Sequence, residues 1–434
     1  MTTFQSNELA TTCDEVNLRP ISHSETLLIN EAQDNLKKTS TTPVYKFGFG
    51  QSPFSPPESA IDSLRKYASE HDYLPVAGLP ACRDAVAVAH QSYRPNITSD
   101  DVVIAPGSKM IIYAIMACYQ QATVILPQPS WVSYAPQASL LNHAIQQVPT
   151  NFDTQWKISP KTLDAVCQSI TDPSQKILVL NYPGNPTGMT YTSHELQAIA
   201  EVARQHHVLI ISDEIYGWLN HTNTHESIAA YYPEGTFITT GLSKWCGAGG
   251  WRFGAGIFPQ NASKKLKITY NGIASETYST TAAPVQYTAV DIYKNISNLT
   301  PFIHQQQTLL KDISQRIVRQ LSDANVRVHQ PDGGFYIFPD FSEFKETFIK
   351  RGLTTCEAFC VDLLKTTGVA MLPGSAFGFE TTDFYTRMCY VDFNGTTALK
   401  SLEKDAKITD QFIQTHCPNI INGITALCDY LKAL

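Results

Sequence analysis

The sequence predicts an α/β protein: a large domain with a mostly parallel central sheet between helices, followed by a smaller α/β domain. Three observations predict it. Short β-branched runs without apolar/polar alternation recur through the middle of the chain, separated by helical stretches, as in strands buried on both faces. The loops after five of these strands each carry a conspicuous side chain: Ser108, Trp131, Asn185, Asp213 and Lys244. In open α/β sheets ligands bind beyond the carboxyl ends of the strands, so five such loops predict a functional site at one sheet edge. From about Pro301 onward, helices alternate with short strands, as in GGFYIFPDF and MLPGSAFG.

Taken in order, residues 1–45 are polar and irregular and are expected to form an extension or arm. The large domain is expected over 46–300, with its first part free to join the small domain, which takes 301–434. FGFGQSPFSPP (47–57) reads as an extended Gly/Pro-rich segment. Strands are expected over 102–105 (VVIA), 123–126 (TVIL), 176–181 (KILVLN), 208–212 (VLIIS), 237–240 (FITT) and 253–258 (FGAGIF). The first is followed by PGSK and a helix. TSHELQAIAEVARQHH reads as another helix: Thr192 and Glu195 have capping-box spacing, and Leu196, Ile199, Ala200 and Ala203 make one apolar stripe. The C-terminal stretch after residue 387 suggests two helices with an insertion. No internal repeat or low-complexity tract is present.

The 434 residues, 43% hydrophobic and 16% charged, promise a sizeable core and exclude global disorder. A net charge of −7, with no Lys/Arg-rich run, argues against a nucleic-acid partner. The ten cysteines lack paired CxxC spacing and metal-register histidines, so they read as reduced thiols rather than a disulfide frame or zinc site. The acid-bearing N-terminus has no apolar core of a secretory signal, and no apolar run reaches the roughly 18 residues of a membrane helix. A cytoplasmic protein with no membrane partner is expected.

Ten motifs then occur in one order between about residues 45 and 395: FGFGQSPFSPP, YLPVAGLPACRDAV, PGSK, PSWVSY, NYPGNPTG, SDEIYG, GLSKWCGAGGWRFG, GGFYIF, PGSAFG and RMCYVDF. In this the chain resembles the class I/II, fold-type I aminotransferases that depend on pyridoxal 5′-phosphate, and within them the aspartate aminotransferases. The resemblance implies ping-pong transfer of an amino group from an L-amino acid to a 2-oxo acid such as 2-oxoglutarate, through an internal aldimine on Lys244. Lys244 would also shuttle the substrate's proton. Asp213 would pair with the pyridine nitrogen, and Tyr216 and Asn185 with the phenolic oxygen. Ser108, Lys109, Ser243 and Arg252 would hold the phosphate, helped by the N-terminus of the helix that PGSK opens. Trp131 would stack on the ring, Arg387 would grip the α-carboxylate, and Gly50 would line the substrate mouth. Tyr73 would reach the phosphate of a neighbouring subunit, which implies a homodimer with shared sites.

Each role also has a physical reason. A lysine in a dry, cationic pocket loses proton affinity and becomes a nucleophile near neutral pH. An aspartate keeps a pyridine nitrogen protonated, so the ring can delocalise a carbanion. Arginine forks suit carboxylates and phosphates. Two questions stay open at this level. Lys109 reads equally as a solvated or phosphate-side lysine and as a reader of a distal carboxylate. The donor, whether aspartate, aromatic, methionine or alanine, is not fixed, and neither is the alternative of a C–S β-lyase or aminocyclopropane-carboxylate-synthase-like lyase on the same fold. Cys246 beside the lysine reads as a small wall residue, and Glu214 as structural.

Overall fold

The computed structural model describes residue 31, residues 43–402 and residues 407–434. The expected N-terminal arm lies almost wholly outside the described residues. Strand β1 (Tyr45–Lys46) comes first. Seven strands then build the main sheet: β2 (Val102–Ala105), β3 (Ala122–Gln128), β4 (Ala144–Pro149), β5 (Gln175–Asn181), β6 (Leu209–Asp213), β7 (Thr236–Gly241) and β8 (Gly254–Ile257). Their spatial order is β2-β8-β7-β6-β5-β3-β4. All neighbours are parallel except β8, which runs antiparallel to both β2 and β7. The start of β8 therefore shares an edge with the ends of the other strands.

The absence of alternation has its cause in the packing. On β5, Ile177 and Val179 join the apolar cluster on one face of the sheet, with Val124, Ile211 and Phe237. Leu178 and Leu180 join the cluster on the other face, with Ile125, Ile210 and Leu196. Both faces are dry, and each such side chain contributes about 1.5–3 kcal/mol on burial. The helix Ser193–Gln205 covers the second face with Leu196, Ile199, Ala200 and Ala203, and begins with the expected Thr192–Glu195 capping box.

One strand of the main sheet was not expected. β4 is one of the sheet's two edge strands, and most of its residues are exposed or half-exposed. Its Gln146 and Gln147 break the apolar run by which a buried strand is recognised.

The later chain adds two small sheets. β9 (Tyr336–Ile337), β11 (Leu372–Pro373) and β12 (Thr386–Cys389) form an antiparallel sheet in the order β11-β12-β9. β10 (Val369–Ala370) pairs in parallel with β1. Residue 301 falls inside a single helix, Ile296–Asp323, whose buried stripe includes Ile303, Leu310, Ile313 and Ile317. The C-terminal stretch forms three helices rather than two: Gly395–Ser401, Asp410–His416 and Pro418–Lys432. Pro418, which lacks an N–H, suits a first helical position and starts the last of them separately.

Candidate active site

The carboxyl edge of the main sheet opens into a cavity of about 520 Å³. Gly50, Ser108, Lys109, Trp131, Asn185, Asp213, Tyr216, Ser243, Lys244, Arg252 and Arg387 all line it. Tyr73 does not, and its side chain is 93% exposed.

One end of the cavity is built for an anion. Gly107 has φ +93°, and Ser108 then opens the helix Ser108–Ala117, whose first N–H groups have no helical partners. Arg252, just before β8, adopts a left-handed backbone with φ 57° and ψ 51°. Its Nη1 donates to the Gly249 carbonyl at 2.9 Å and its Nη2 to the Pro106 carbonyl at 3.3 Å. No carboxylate among the described residues pairs with it. The positive φ of Gly107 favours glycine, and a Cβ there would stand 2.3 Å from that Nη2 and push the guanidinium aside.

In the middle of the cavity Asp213 ends β6, 3% exposed. Burial pushes its carboxyl up to about 6, against the opposing pull of the Tyr134 hydroxyl, the Ile215 N–H and the Lys244 charge. Tyr134 Oη donates to Asp213 Oδ2 at 2.6 Å. Asn181 ties two loops together. Its Nδ2 donates to the Asp213 carbonyl at 2.8 Å, and its Oδ1 accepts from the Asn185 N–H at 2.7 Å. Trp131 meets Tyr134 edge-on at 5.2 Å, with the Lys109 amine 4.9 Å from the Trp131 ring centre.

Lys244 follows β7. Its Nζ donates to the Gly50 carbonyl at 3.0 Å and lies 5.5 Å from the Tyr216 ring centre. Burial, and then the Arg387 charge, lower its amine from the usual lysine value to about 8, although Asp213 opposes this. Tyr216 Oη is 3.0 Å from Tyr336 Oη, which in turn donates to the Gly50 carbonyl at 3.3 Å. A Cβ on Gly50 would land 2.0 Å from the Tyr336 oxygen.

Arg387, on β12, is 1% exposed. Its Nη1 donates to Asn185 Oδ1 at 3.2 Å and its Nη2 to the Gly48 carbonyl, while its Nε has no partner. No carboxylate among the described residues offsets its charge. A buried guanidinium with only neutral acceptors is an incomplete arrangement, and an anion completes it.

Tyr134, Asn181 and Tyr336 escaped the sequence reading. Tyr134 closes the quoted PSWVSY and Tyr336 sits in GGFYIF, so the motifs held them, but their hydroxyl partners were invisible. Cys246 is fully buried, and burial pushes its thiol up to about 12, as fits an inert wall. No helix among the described residues is long and apolar enough to cross a membrane.

Comparison with known proteins places this geometry. Residues 42–397 match the family model "Aminotransferase class I and II". The aspartate aminotransferase of Geobacillus stearothermophilus is 32% identical over 369 residues, covering 82% of this chain and 89% of that protein. The aspartate aminotransferase of Bacillus sp. (strain YM-2) is 29% identical, covering 92% and 98%. The asparagine–oxo-acid transaminase of Streptococcus mutans is also 29% identical, over 81% and 88%. In three dimensions the Thermus thermophilus aspartate aminotransferase, solved with maleate, superposes with a TM-score of 0.79 at 21% identity, covering 95% of this chain and all of that one.

Proposed function

The chain belongs to the class I and II aminotransferases, and from that premise we propose that it transfers the amino group of a dicarboxylic L-amino acid, aspartate foremost, to a 2-oxo acid such as 2-oxoglutarate. Amino-group transfer dependent on pyridoxal 5′-phosphate is the chemistry of the family and of this chain. The lyase alternatives are not favoured, since the relatives named above are transaminases.

The residues fit that cofactor. The cavity offers a nucleophilic amine, a buried carboxylate and an unpaired arginine beside a helix N-terminus. When bound, the cofactor supplies a carbonyl carbon that receives the amino group and a ring that draws electrons from the substrate's Cα. Ser108, Ser243, Arg252 and the first N–H groups of the helix Ser108–Ala117 hold its phosphate. Asp213 keeps the pyridine nitrogen protonated, Tyr134 orients that carboxylate, and Trp131 covers the ring. Tyr216 and Asn185 bind the phenolic oxygen. Lys244 would anchor the cofactor through its amine and, once the substrate has taken its place, would take up and hold the proton of the substrate's Cα.

The observation that carries the reading is Arg387, buried and without a carboxylate partner among the described residues. It takes the substrate's α-carboxylate. Lys109 supplies the preference for a second carboxylate. Its amine lies over Trp131 on the same cavity wall and has no carboxylate partner among the described residues. Burial and the Arg252 charge lower its proton affinity, so a second anion there relieves the strain between two cations. The relatives named for aspartate and asparagine support the same donor class.

The test is a half-reaction titration. Aspartate is expected to shift the enzyme's visible absorbance at lower concentration than alanine, methionine or phenylalanine, and 2-oxoglutarate to reverse the change. Lys109→Ala is expected to raise the KM for aspartate about tenfold, the loss of one charge-assisted contact, with little change for alanine. An apolar donor that outperforms aspartate, or an unaffected Lys109→Ala, would overturn the proposal. The enzyme works as a homodimer in which Tyr73 completes the partner's phosphate site. A cytoplasmic location fits the cysteines, which are unbridged among the described residues.

A further inference from the structure

Directly behind Asp213 lies a second buried charge that the reaction scheme does not use. Successive residues at the end of a strand point to opposite sides. Asp213 faces the cavity, whereas Glu214 joins Ser212 on the far side. Its carboxylate is wholly buried, and Oε2 lies 2.9 Å from Nε2 of His225, itself 5% exposed. Oε1 accepts from Ser212 Oγ at 2.7 Å and from Ser227 Oγ at 2.5 Å, with Tyr182 Oη at 3.5 Å. Tyr182 Oη in turn accepts the Ile228 N–H at 2.7 Å. A buried carboxylate survives only with such a set of donors.

The donors are not scattered. Ser212 belongs to β6, which carries Asp213. Tyr182 lies three residues before Asn185, on the loop after β5. Ser227 and His225 come from the segment after Tyr216. That segment is seated on the imidazole: a Cβ on Gly217 would stand 2.8 Å from His225 Cδ2. Among the described residues His225 Nδ1 has no partner, so the ring's one polar contact there is the Glu214 carboxylate. Glu214 is thus the common acceptor for the three backbones that present Asn185, Asp213 and Tyr216. Its charge also acts on Asp213, adding to the proton affinity of that carboxyl.

We propose that Glu214, held by His225, is a positioning residue for amino transfer: it clamps the backbones that carry Asn185, Asp213 and Tyr216 and places negative charge behind Asp213. This rests on the reading of Asp213 as the partner of the cofactor's ring nitrogen.

Three variants of the full-length holoenzyme test it: Glu214→Gln, the milder Ser227→Ala, and Asp213→Asn. The readouts are kcat and KM for aspartate, the visible spectrum of the bound cofactor with its pH midpoint, and the melting temperature. A displaced catalytic group costs rate more than affinity. Glu214→Gln is therefore expected to lower kcat about tenfold or more, with KM within about twofold and a shifted spectral midpoint. Ser227→Ala should move the same quantities in the same direction by less, and it decides the matter if Glu214→Gln does not fold. Variants that melt lower but keep wild-type kcat and spectrum, beside an impaired Asp213→Asn, would make Glu214 merely structural and overturn the proposal. A wild-type Asp213→Asn would instead overturn the underlying reading of the site.

Discussion

At the scale of single residues, the site sets opposing charges against burial. Lys244 is lowered to about 8 because both desolvation and the Arg387 guanidinium disfavour its ammonium, and Asp213 only partly compensates. The sign of the consequence is definite. Below about pH 8 the amine is mostly protonated and cannot attack a carbonyl; above it the amine is free. Capture of pyridoxal phosphate by the apo-protein should therefore accelerate as pH rises through about 8, and Lys244→Ala should abolish covalent capture. Stopped-flow absorbance from about pH 6.5 to about pH 11 would check this, and a bend only near the ordinary lysine value of about 10.4 would contradict the shielding of the amine. Residues of this kind were legible in the sequence because lysine and arginine are out of place beside buried strands. Tyr134, Asn181 and Tyr336 were not, because their importance lies in the partner each one meets, and a sequence carries no such distances.

At the scale of elements, the anion end depends on a turn that no side chain but hydrogen permits. Gly107 combines φ +93° with an Arg252 nitrogen 2.3 Å from where its Cβ would be. Gly107→Ala must either strain or rotate a backbone (φ +93°, ψ 156°) that only glycine adopts readily, at about 1–3 kcal/mol, or push the guanidinium aside. Expelling it would remove a proposed phosphate ligand. The expected outcome is a modest fall in melting temperature with a loss of cofactor affinity of about tenfold or more, since a charge-assisted contact is lost. Equilibrium dialysis of the cofactor, set beside thermal melts, separates the two, and unchanged affinity would remove Arg252 from the phosphate site. The same scale explains which elements could be read. β2, β5, β6 and β7 announce themselves because they are apolar on both faces. β4 hides because most of its residues are exposed and two glutamines interrupt its apolar run, whereas β2, at the opposite edge, is covered on both faces. The two-residue strands β1 and β10 are too short to carry any period, whereas β9 and β11 fall inside the short strands expected in GGFYIFPDF and MLPGSAFG.

At the scale of the whole molecule, the site is assembled from distant stretches of chain. Arg387 comes from β12, and its sheet is joined to the main sheet's loops through Trp156, which meets Phe338, Phe379 and Tyr385 edge-on at 5.1–5.6 Å. Nothing in the spacing of those residues revealed that junction. Tyr73, in contrast, has no place in its own chain's cavity and stands 93% exposed. Burying its ring would remove apolar surface from water, and the proposed cover is the second subunit, whose phosphate the hydroxyl would reach. This gives a prediction that a monomer cannot satisfy. Lys244→Ala homodimers should be inactive, and Tyr73→Ala homodimers should need more cofactor for activity. In a mixed dimer, one site would draw Lys244 from the Tyr73→Ala chain and Tyr73 from the Lys244→Ala chain, and so would be intact. Unfolding and refolding the two variants together should then yield activity at limiting cofactor above the sum of the two refolded alone. Activity equal to that sum would show that each chain completes its own site and that Tyr73 serves no neighbour.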